Sequence, residues 1–445
     1  MIVMKFGGTS VGDANRIANC ARLVQQQSYC PIVVVSAVSK ITDKLLKLAA
    51  ALPTGDYQHL LCEIVDIHRK IAAELQLDSQ LLEATFQQMD DFCQQHGGRT
   101  INPAACDQLC AFGEKLSAQI MAAQLMKSGS AAQYCIAGEI GMITNDHFGS
   151  AEVLDSSYGL LGERLSQMAS IPVITGFIGQ TSEGATTTLG RGGSDYSAAI
   201  IGSAVMAKEI QIWTDVDGIM STDPKDFNKA VTIPELSFEE ASELAYFGVK
   251  VIHPKTILPA MRHQIPVRIL NSFNPSNVGT RIVAAFGSSS PLNNQIVGLT
   301  CKSQSIAIVI RSADFFDGNI HMERIFKTFA KYDLAIDVIL TSVASTSLVC
   351  SESPKLSLII DELRSIGDLE LQTGKSVICV VGGHANTASF IGKIFTALGC
   401  HDIVVEMLSQ ASQGISLTFV VDDLDAKQTL QIIHNECVIT EDLKV

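Results

Sequence analysis

With 445 residues and 47% hydrophobic content, the chain can bury a large core and is too long for one ordinary domain, so two or three domains are expected. A formal net charge of −14, with no block of Lys or Arg, excludes the electrostatic footprint of a nucleic-acid or anionic-lipid binder, so neither nucleic acid nor membrane is an expected partner. The 12 Cys are dispersed without a C-x-x-C, and the nearest pair, Cys106 and Cys110, lacks the second pair or spaced His of a zinc site.

The chain opens from Met1 straight into the strand-like Ile2 to Phe6, without a basic start or signal-like apolar stretch, and runs such as Ile32 to Val35 are too short to span a bilayer. A reduced, cytoplasmic location is the expectation. Ile2 to Phe6, the turn Gly7-Gly8-Thr9-Ser10, an amphipathic stretch from Ala14 to Gln27 and the run Ile32 to Val35 form a βαβ unit. Helical periods dominate from Leu45 to Gln95, interrupted by Pro53-Thr54-Gly55. Asp107 to Met126 reads as one helix with Leu109, Phe112, Leu116 and Ile120 on a face. Strands are expected at Ile171 to Gly176, Ile210 to Thr214 and Val267 to Asn271. Ser237-Phe238-Glu239-Glu240 has capping-box spacing for a helix that stops near Gly248. Phe286 to Pro291 reads as a linker. Beyond it, helices at Met322 to Lys331, Lys355 to Ser365, Ser389 to Leu398 and Asp425 to His434 alternate with strands, including Ile336 to Thr341 and Thr346 to Cys350, as in two βαββαβ units in tandem. The expected fold class is α/β, with domains over residues 1–285, 292–372 and 373–445, the last two open to interleaving.

Phosphate chemistry needs glycines that expose backbone N–H groups, a cation, and a helix N-terminus aimed at the anion. The combination occurs twice: Lys5 at the carboxyl end of the first strand before Gly7 and Gly8, and Gly190 to Asp195, where Arg191 can fork onto a carboxylate and Asp195 sits at a helix start. A strand-end lysine alone would simply reach solvent; the glycines after it change the reading. Gly374-Lys375-Ser376 ends like a P-loop, but the required glycine is replaced by Leu369, and no dinucleotide fingerprint or protein-kinase motif set occurs.

Met4-Lys5-Phe6-Gly7-Gly8-Thr9-Ser10 resembles the opening signature of aspartokinases, and further blocks follow in family order: Val35 to Thr42, Phe112-Gly113-Glu114, Thr175 to Gly179, Thr188 to Asp195, Ile212 to Gly218 and Phe247 to Pro254. The resemblance implies an amino-acid-kinase fold, with an eight-stranded, mainly parallel sheet flanked by helices, and transfer of phosphate from ATP to the side-chain carboxylate of aspartate. It also implies roles. Lys5, with the N–H groups of Gly7 and Gly8, would hold the transferring phosphoryl group, and Asp195 would orient Lys5. Arg191 would grip the substrate α-carboxylate and Glu114 its ammonium group, with Ser36 and Thr42 lining the same pocket. Thr214, Asp215, Met220, Lys225 and Lys250 would hold the nucleotide, Met220 standing where related enzymes often carry Tyr. Mg²⁺ would be carried mainly by ATP, with no metal ligand supplied by the protein. A carboxylate is already ionised at neutral pH, so this reaction needs charge neutralisation and positioning rather than a general base. By helical geometry alone, Glu114 lies about 200° around from Phe112 and faces away from the apolar stripe, as a solvated glutamate would.

The terminal units resemble the α+β, ferredoxin-like ACT domains that end monofunctional aspartokinases. Homodimerisation or a larger assembly through these domains, and feedback by an amino acid such as lysine or threonine, are implied. Residues matching the effector region are Gly318 and Ile320 in the turn before the first helix, Asp337, and Thr341-Ser342. Val343 follows where an acid is expected, which weakens the case for lysine. The end at Val445 leaves no room for a fused dehydrogenase, so the expectation is a monofunctional enzyme. Alternatives are another carboxylate kinase of the same fold, or an inactive amino-acid sensor. The Glu114 and Arg191 contexts oppose the first, and retention of Lys5 and Asp195 opposes the second.

Overall fold

A computed structural model describes residues 1–225, 227–248, 252, 254–284, 296–311, 318–342, 345–382, 387–410 and 414–438. The chain divides into two compact units. One comprises residues 1–219, 234–238 and 251–285, and the other residues 220–233, 239–250 and 286–445. The division does not follow a single cut near residue 285, because two segments before it cluster with the C-terminal unit.

In the first unit the order is β1 (Ile2–Phe6), α1 (Ala14–Gln25), β2 (Pro31–Val35), α2 (Ile41–Ala51), α3 (Gln58–Glu74), α4 (Glu83–His96), α5 (Pro103–Cys110), α6 (Phe112–Lys127), β3 (Ala132–Cys135), α7 (Ser156–Ser166), β4 (Ile171–Thr175), β5 (Ile178–Gln180), β6 (Thr186–Thr188), α8 (Gly193–Ala204), β7 (Ile210–Thr214) and β8 (Glu235–Ser237). After α9 (Phe238–Phe247), most of which belongs to the other unit, come α10 (Pro254–Arg262), β9 (Val267–Asn271) and β10 (Thr280–Val283). An eight-stranded sheet runs β3-β4-β2-β1-β7-β9-β10-β8, parallel at every pairing except β9 with β10. Every residue of β1 and β2 is buried, as expected of parallel strands covered by helices on both faces. The helix expected from Asp107 to Met126 is two helices. Asn102 caps α5 by accepting from Ala105 N, Pro103 occupies the first turn, and α6 starts after Ala111; Leu109, Phe112, Leu116 and Ile120 are all buried. Helix α1 ends at Gln25, and Asp13 caps its start through Arg16 N at 2.9 Å.

Strand β1 holds the key position. Its neighbours β2 and β7 lie on opposite sides, so the loops leaving their carboxyl ends diverge and open a crevice there, the usual ligand position in an open α/β sheet.

The second unit contains β11 (Ile296–Arg311), α11 (Gly318–Lys331), β12 (Ile336–Thr341), β13 (Thr346–Ser351), α12 (Leu356–Leu363), β14 (Asp368–Gly382), α13 (Ala388–Gly399), β15 (Met407–Gln410), β16 (Ser416–Asp422) and α14 (Asp423–Ile433). The six strands join one antiparallel sheet, β12-β13-β11-β14-β16-β15. The expected order of elements is present, but β14 runs unbroken through the expected junction at 372/373, and β11 pairs with it from Ile296 to Arg311. Two cores result. One centres on Ile394, Leu398, Phe419 and Ile433, the other on Ile308, Phe329, Leu348 and Ile359. Gly374-Lys375-Ser376 lies within β14, with Lys375 paired to Glu406, so the P-loop look-alike is strand backbone. The expected linker at Phe286 to Pro291 lies outside the described residues. Among the described residues no helix is long and apolar enough to cross a membrane.

Candidate active site

The loops after β1 and β2, the start of α2, the first turn of α6 and the start of α8 enclose a cleft of about 470 Å³, lined among others by Lys5, Gly8, Ser36, Thr42, Glu114, Arg191 and Asp195. Lys5 is 8% exposed and its Nζ lies 2.6 Å from Asp195 Oδ1. Asp195 reaches it because Gly190 and Gly192, at φ +74° and +71°, turn the chain into α8 through left-handed backbone that a residue with a Cβ resists. Ser197 Oγ fastens that start, accepting from Phe177 N at 3.1 Å and donating to Gly193 O at 2.9 Å. The Ser194 and Asp195 N–H groups donate to no described backbone carbonyl and are oriented as at any helix N-terminus, where anions are favoured.

Glu114 is 3% exposed, against the solvated position that its helical angle suggests. Gly113 explains how it enters. A Cβ there would lie 2.8 Å from the Ala37 Cβ, so only glycine lets α6 approach the loop after β2 this closely. Glu114 Oε1 accepts from Ala37 N at 3.0 Å, while Oε2 has no partner among the described residues. Burial pushes its pKa up to about 8, opposed by the Ala37 N–H bond and the nearby Lys5 charge. Arg191 is exposed and makes no ion pair among the described residues; it also borders a second cavity, of about 500 Å³.

The two glycines after Lys5 behave differently. A Cβ on Gly8 would meet Ala37 O at 2.9 Å, and the Gly8 N–H donates to no described backbone carbonyl. Gly7, expected to offer its N–H to phosphate, instead donates it to Trp213 O at 3.0 Å and extends the ladder to β7. That assignment is corrected: the donors left open in this turn begin at Gly8.

The profile of the amino acid kinase family matches residues 1–271, and an ACT domain profile matches residues 378–437. Aspartokinase 3, chloroplastic, of Arabidopsis thaliana is 33% identical over 454 residues, covering 97% of this chain and 81% of that protein. Lysine-sensitive aspartokinase 3 of Escherichia coli is 31% identical, covering 98% of each. The chain belongs to the aspartokinase family. The crystal structure of E. coli aspartokinase III in complex with aspartate and ADP superposes with a TM-score of 0.82 at 29% identity, covering 99% of this chain and all of that one. The Clostridium acetobutylicum aspartate kinase gives the same TM-score at 26% identity, covering 98% and 99%.

Of the residues expected at the nucleotide, this aspartokinase places Thr214 and Asp215 at the end of β7, with Thr214 Oγ1 donating to Asp215 Oδ1 at 3.1 Å; neither lines the cleft described above. Met220 and Lys225 belong to the second unit, where Met220 Sδ accepts from Thr232 Oγ1 at 3.5 Å and the Lys225 N–H donates to Asp223 Oδ1 at 2.9 Å. Lys250 lies outside the described residues.

The expected effector contacts separate. Gly318 and Ile320 begin α11, and Thr341 ends β12. Ser342 turns back on Ser345, its N–H reaching Ser345 O at 2.8 Å. Asp337, expected among the effector contacts, has a fully buried side chain that takes Lys302 Nζ at 2.7 Å on both oxygens. The Val343 position is outside the described residues.

Two contributors escaped the sequence reading. Asp107, 3% exposed, accepts from Gly149 N at 2.9 Å, Thr188 N at 2.7 Å and Thr188 Oγ1 at 2.8 Å, tying down β6 immediately before the Gly-rich run; burial raises its pKa while these bonds oppose the rise. Lys40 borders the cleft at the start of α2, inside a family-like block but without an assigned role.

Proposed function

We propose that this aspartokinase transfers the terminal phosphoryl group of ATP to the side-chain carboxylate of L-aspartate, giving ADP and 4-phospho-L-aspartate, the first step towards lysine or diaminopimelate, threonine and methionine. The observation that carries the reading is the meeting, in one cleft, of a buried ion-paired lysine with a buried glutamate that has one oxygen unsatisfied. The first suits a phosphoryl group, the second an ammonium ion. In this reading Glu114 Oε2 receives the ammonium group, Arg191 forks onto the α-carboxylate, and Ser36 and Thr42 bound the space that remains. The carboxylate nucleophile needs no base, so the residues work by holding two anions in line. Lys5, kept in place by Asp195, and the open N–H groups of Gly8, Ser194 and Asp195 offset the charge on the phosphoryl oxygens.

Thr214, Asp215, Met220, Lys225 and Lys250 are assigned to the nucleotide. Mg²⁺, carried chiefly by ATP in this reading, would supply further charge neutralisation at the phosphates. We assign residues 1–285 to the kinase, and 292–372 and 373–445 to two ACT domains interleaved through β11 and β14, pairing in a cytoplasmic homodimer or larger assembly. Amino-acid feedback belongs to the same proposal: an E. coli aspartokinase III structure contains lysine and aspartate, and it is 30% identical to this chain. The Lys302–Asp337 pair moves any effector ammonium contact here away from Asp337.

The test is to incubate the protein with MgATP and aspartate, trap acyl phosphate with hydroxylamine, and repeat with glutamate. Hydroxamate from aspartate and little from glutamate is expected. None from aspartate would defeat the reading.

A further inference from the structure

Lys40 has no local reason to be lysine. It precedes α2 with φ +65° and ψ +3°, a left-handed conformation that costs any residue with a Cβ and that glycine adopts freely. Its side chain caps no N–H of the helix, and it places a cation at the positive end of the helix dipole, the end that favours acids. It makes no ion pair among the described residues, although Asp43 stands one turn on. Backbone, cap and dipole would each be better served by Gly, Asn or Asp. What the position does offer is the cleft, whose wall Lys40 forms together with Ser36, Thr42 and Glu114.

The charges of the cleft show what is lacking. Lys5 is committed to Asp195, and Glu114 adds a second acid. The incoming aspartate brings two carboxylates and one ammonium group to face a polyanionic nucleotide. Glu114 can answer the ammonium and Arg191 one carboxylate, leaving the second carboxylate without a cation on the aspartate side.

We propose that Lys40 is a specificity-determining residue that pairs with a carboxylate of bound aspartate, its strained backbone being retained for that contact; this rests on the aspartate kinase reading above. The contact is made on binding and weakens as the carboxylate gives its charge to the new bond, so it lowers KM for aspartate without raising kcat. Lys40→Gly separates this role from a structural one, because glycine relieves the backbone while removing the charge.

The experiment measures steady-state kinetics and melting temperature for the wild type, Lys40→Gly, Lys40→Ala and Lys40→Arg in the full chain. An inactive wild type would defeat the reaction assigned above, independently of Lys40. With an active wild type, Lys40→Gly and Lys40→Ala are expected to raise KM for aspartate about ten-fold with kcat and KM for ATP within about two-fold, Lys40→Arg to recover most of the loss, and Lys40→Gly to melt no lower than wild type. An unchanged aspartate KM in Lys40→Gly would overturn the proposal. So would a rise confined to ATP, an equal rise for both substrates, or a failure of arginine to restore what alanine loses.

Discussion

Glu114 makes the binding of aspartate depend on pH in a direction fixed by its burial. With a pKa of about 8, the carboxyl group is about one-tenth ionised at pH 7 and about one-hundredth at pH 6 in the unliganded protein. Only the ionised form answers an ammonium ion. Apparent affinity for aspartate should therefore rise about ten-fold from pH 6 to pH 7, more slowly towards pH 8, and level off beyond it, with close to one proton released per aspartate bound at pH 7. Calorimetric titration in buffers of different ionisation enthalpy measures that proton directly. Glu114→Gln keeps an oxygen for the Ala37 N–H, so the fold should persist while KM for aspartate rises about 100-fold and loses its slope below pH 8. Stability of the unliganded protein carries the opposite sign. A pKa raised on folding contributes stability that is fully present below the unfolded value, near 4.5, and is lost as pH rises through about 8, so aspartate should protect most at the alkaline end. An aspartate KM that stays flat from pH 6 to pH 8, with no proton released, would refute the role given to Glu114.

Lys5→Ala should reduce kcat by about 10²–10³ while calorimetric aspartate binding changes by only a few-fold, because the role proposed for Lys5 is at the phosphoryl group and not at aspartate. Asp107→Ala leaves the N–H groups of Gly149 and Thr188 and the Thr188 hydroxyl without their acceptor; a loss of about 2–4 kcal/mol in urea unfolding, with kcat down about ten-fold as the run after Thr188 loosens, is expected. Lys302→Met strands the buried Asp337 carboxylate. With Lys302 itself 30% exposed, the cost should be about 2–3 kcal/mol, and Asp337→Leu in the same chain should return most of it by denaturant titration.

Much of the sheet could be read from sequence because β1, β2, β7 and β9 are five-residue stretches rich in apolar and β-branched residues between turns, as buried strands of a covered sheet tend to be. The three residues of β8 and the four of β10 carry no such run, and neither was foreseen. Ala111 divides α5 from α6 at φ −61° and ψ −20°, so close to helical values that no breaker residue marks the place. Gly374 looks like punctuation, yet β14 passes through it at φ +70°, at a point where the register against β11 shifts. In the cleft, residue types were legible and their bonding was not. The Gly7 N–H seemed free because its acceptor, Trp213 O, is more than 200 residues away. Lys302 and Asp337, 35 residues apart, form their pair only because β11 and β12 share a sheet.

The four acids Asp107, Glu114, Asp195 and Asp337 show why a helical wheel or a motif cannot assign a carboxylate's role by itself. Each is little exposed at its side chain, so each needs partners to offset the water it has lost. Asp107 has three N–H and O–H donors, Asp195 has Lys5, and Asp337 has Lys302 on both oxygens. The first is hydrogen-bonded by the protein and the other two are ion-paired by it. Glu114 is not satisfied, since one backbone N–H serves one oxygen and the other has no described partner. A wheel scores α6 by its apolar stripe and so treats the opposite face as solvent, whereas here that face borders a polar cleft. The deficit at Oε2 therefore has the sign and position of a missing cation, and an amino acid's ammonium group is a cation that arrives only with substrate. That argument depends on geometry around a single oxygen, which is why the pH dependence of aspartate binding tests the site more sharply than loss of activity in any one variant.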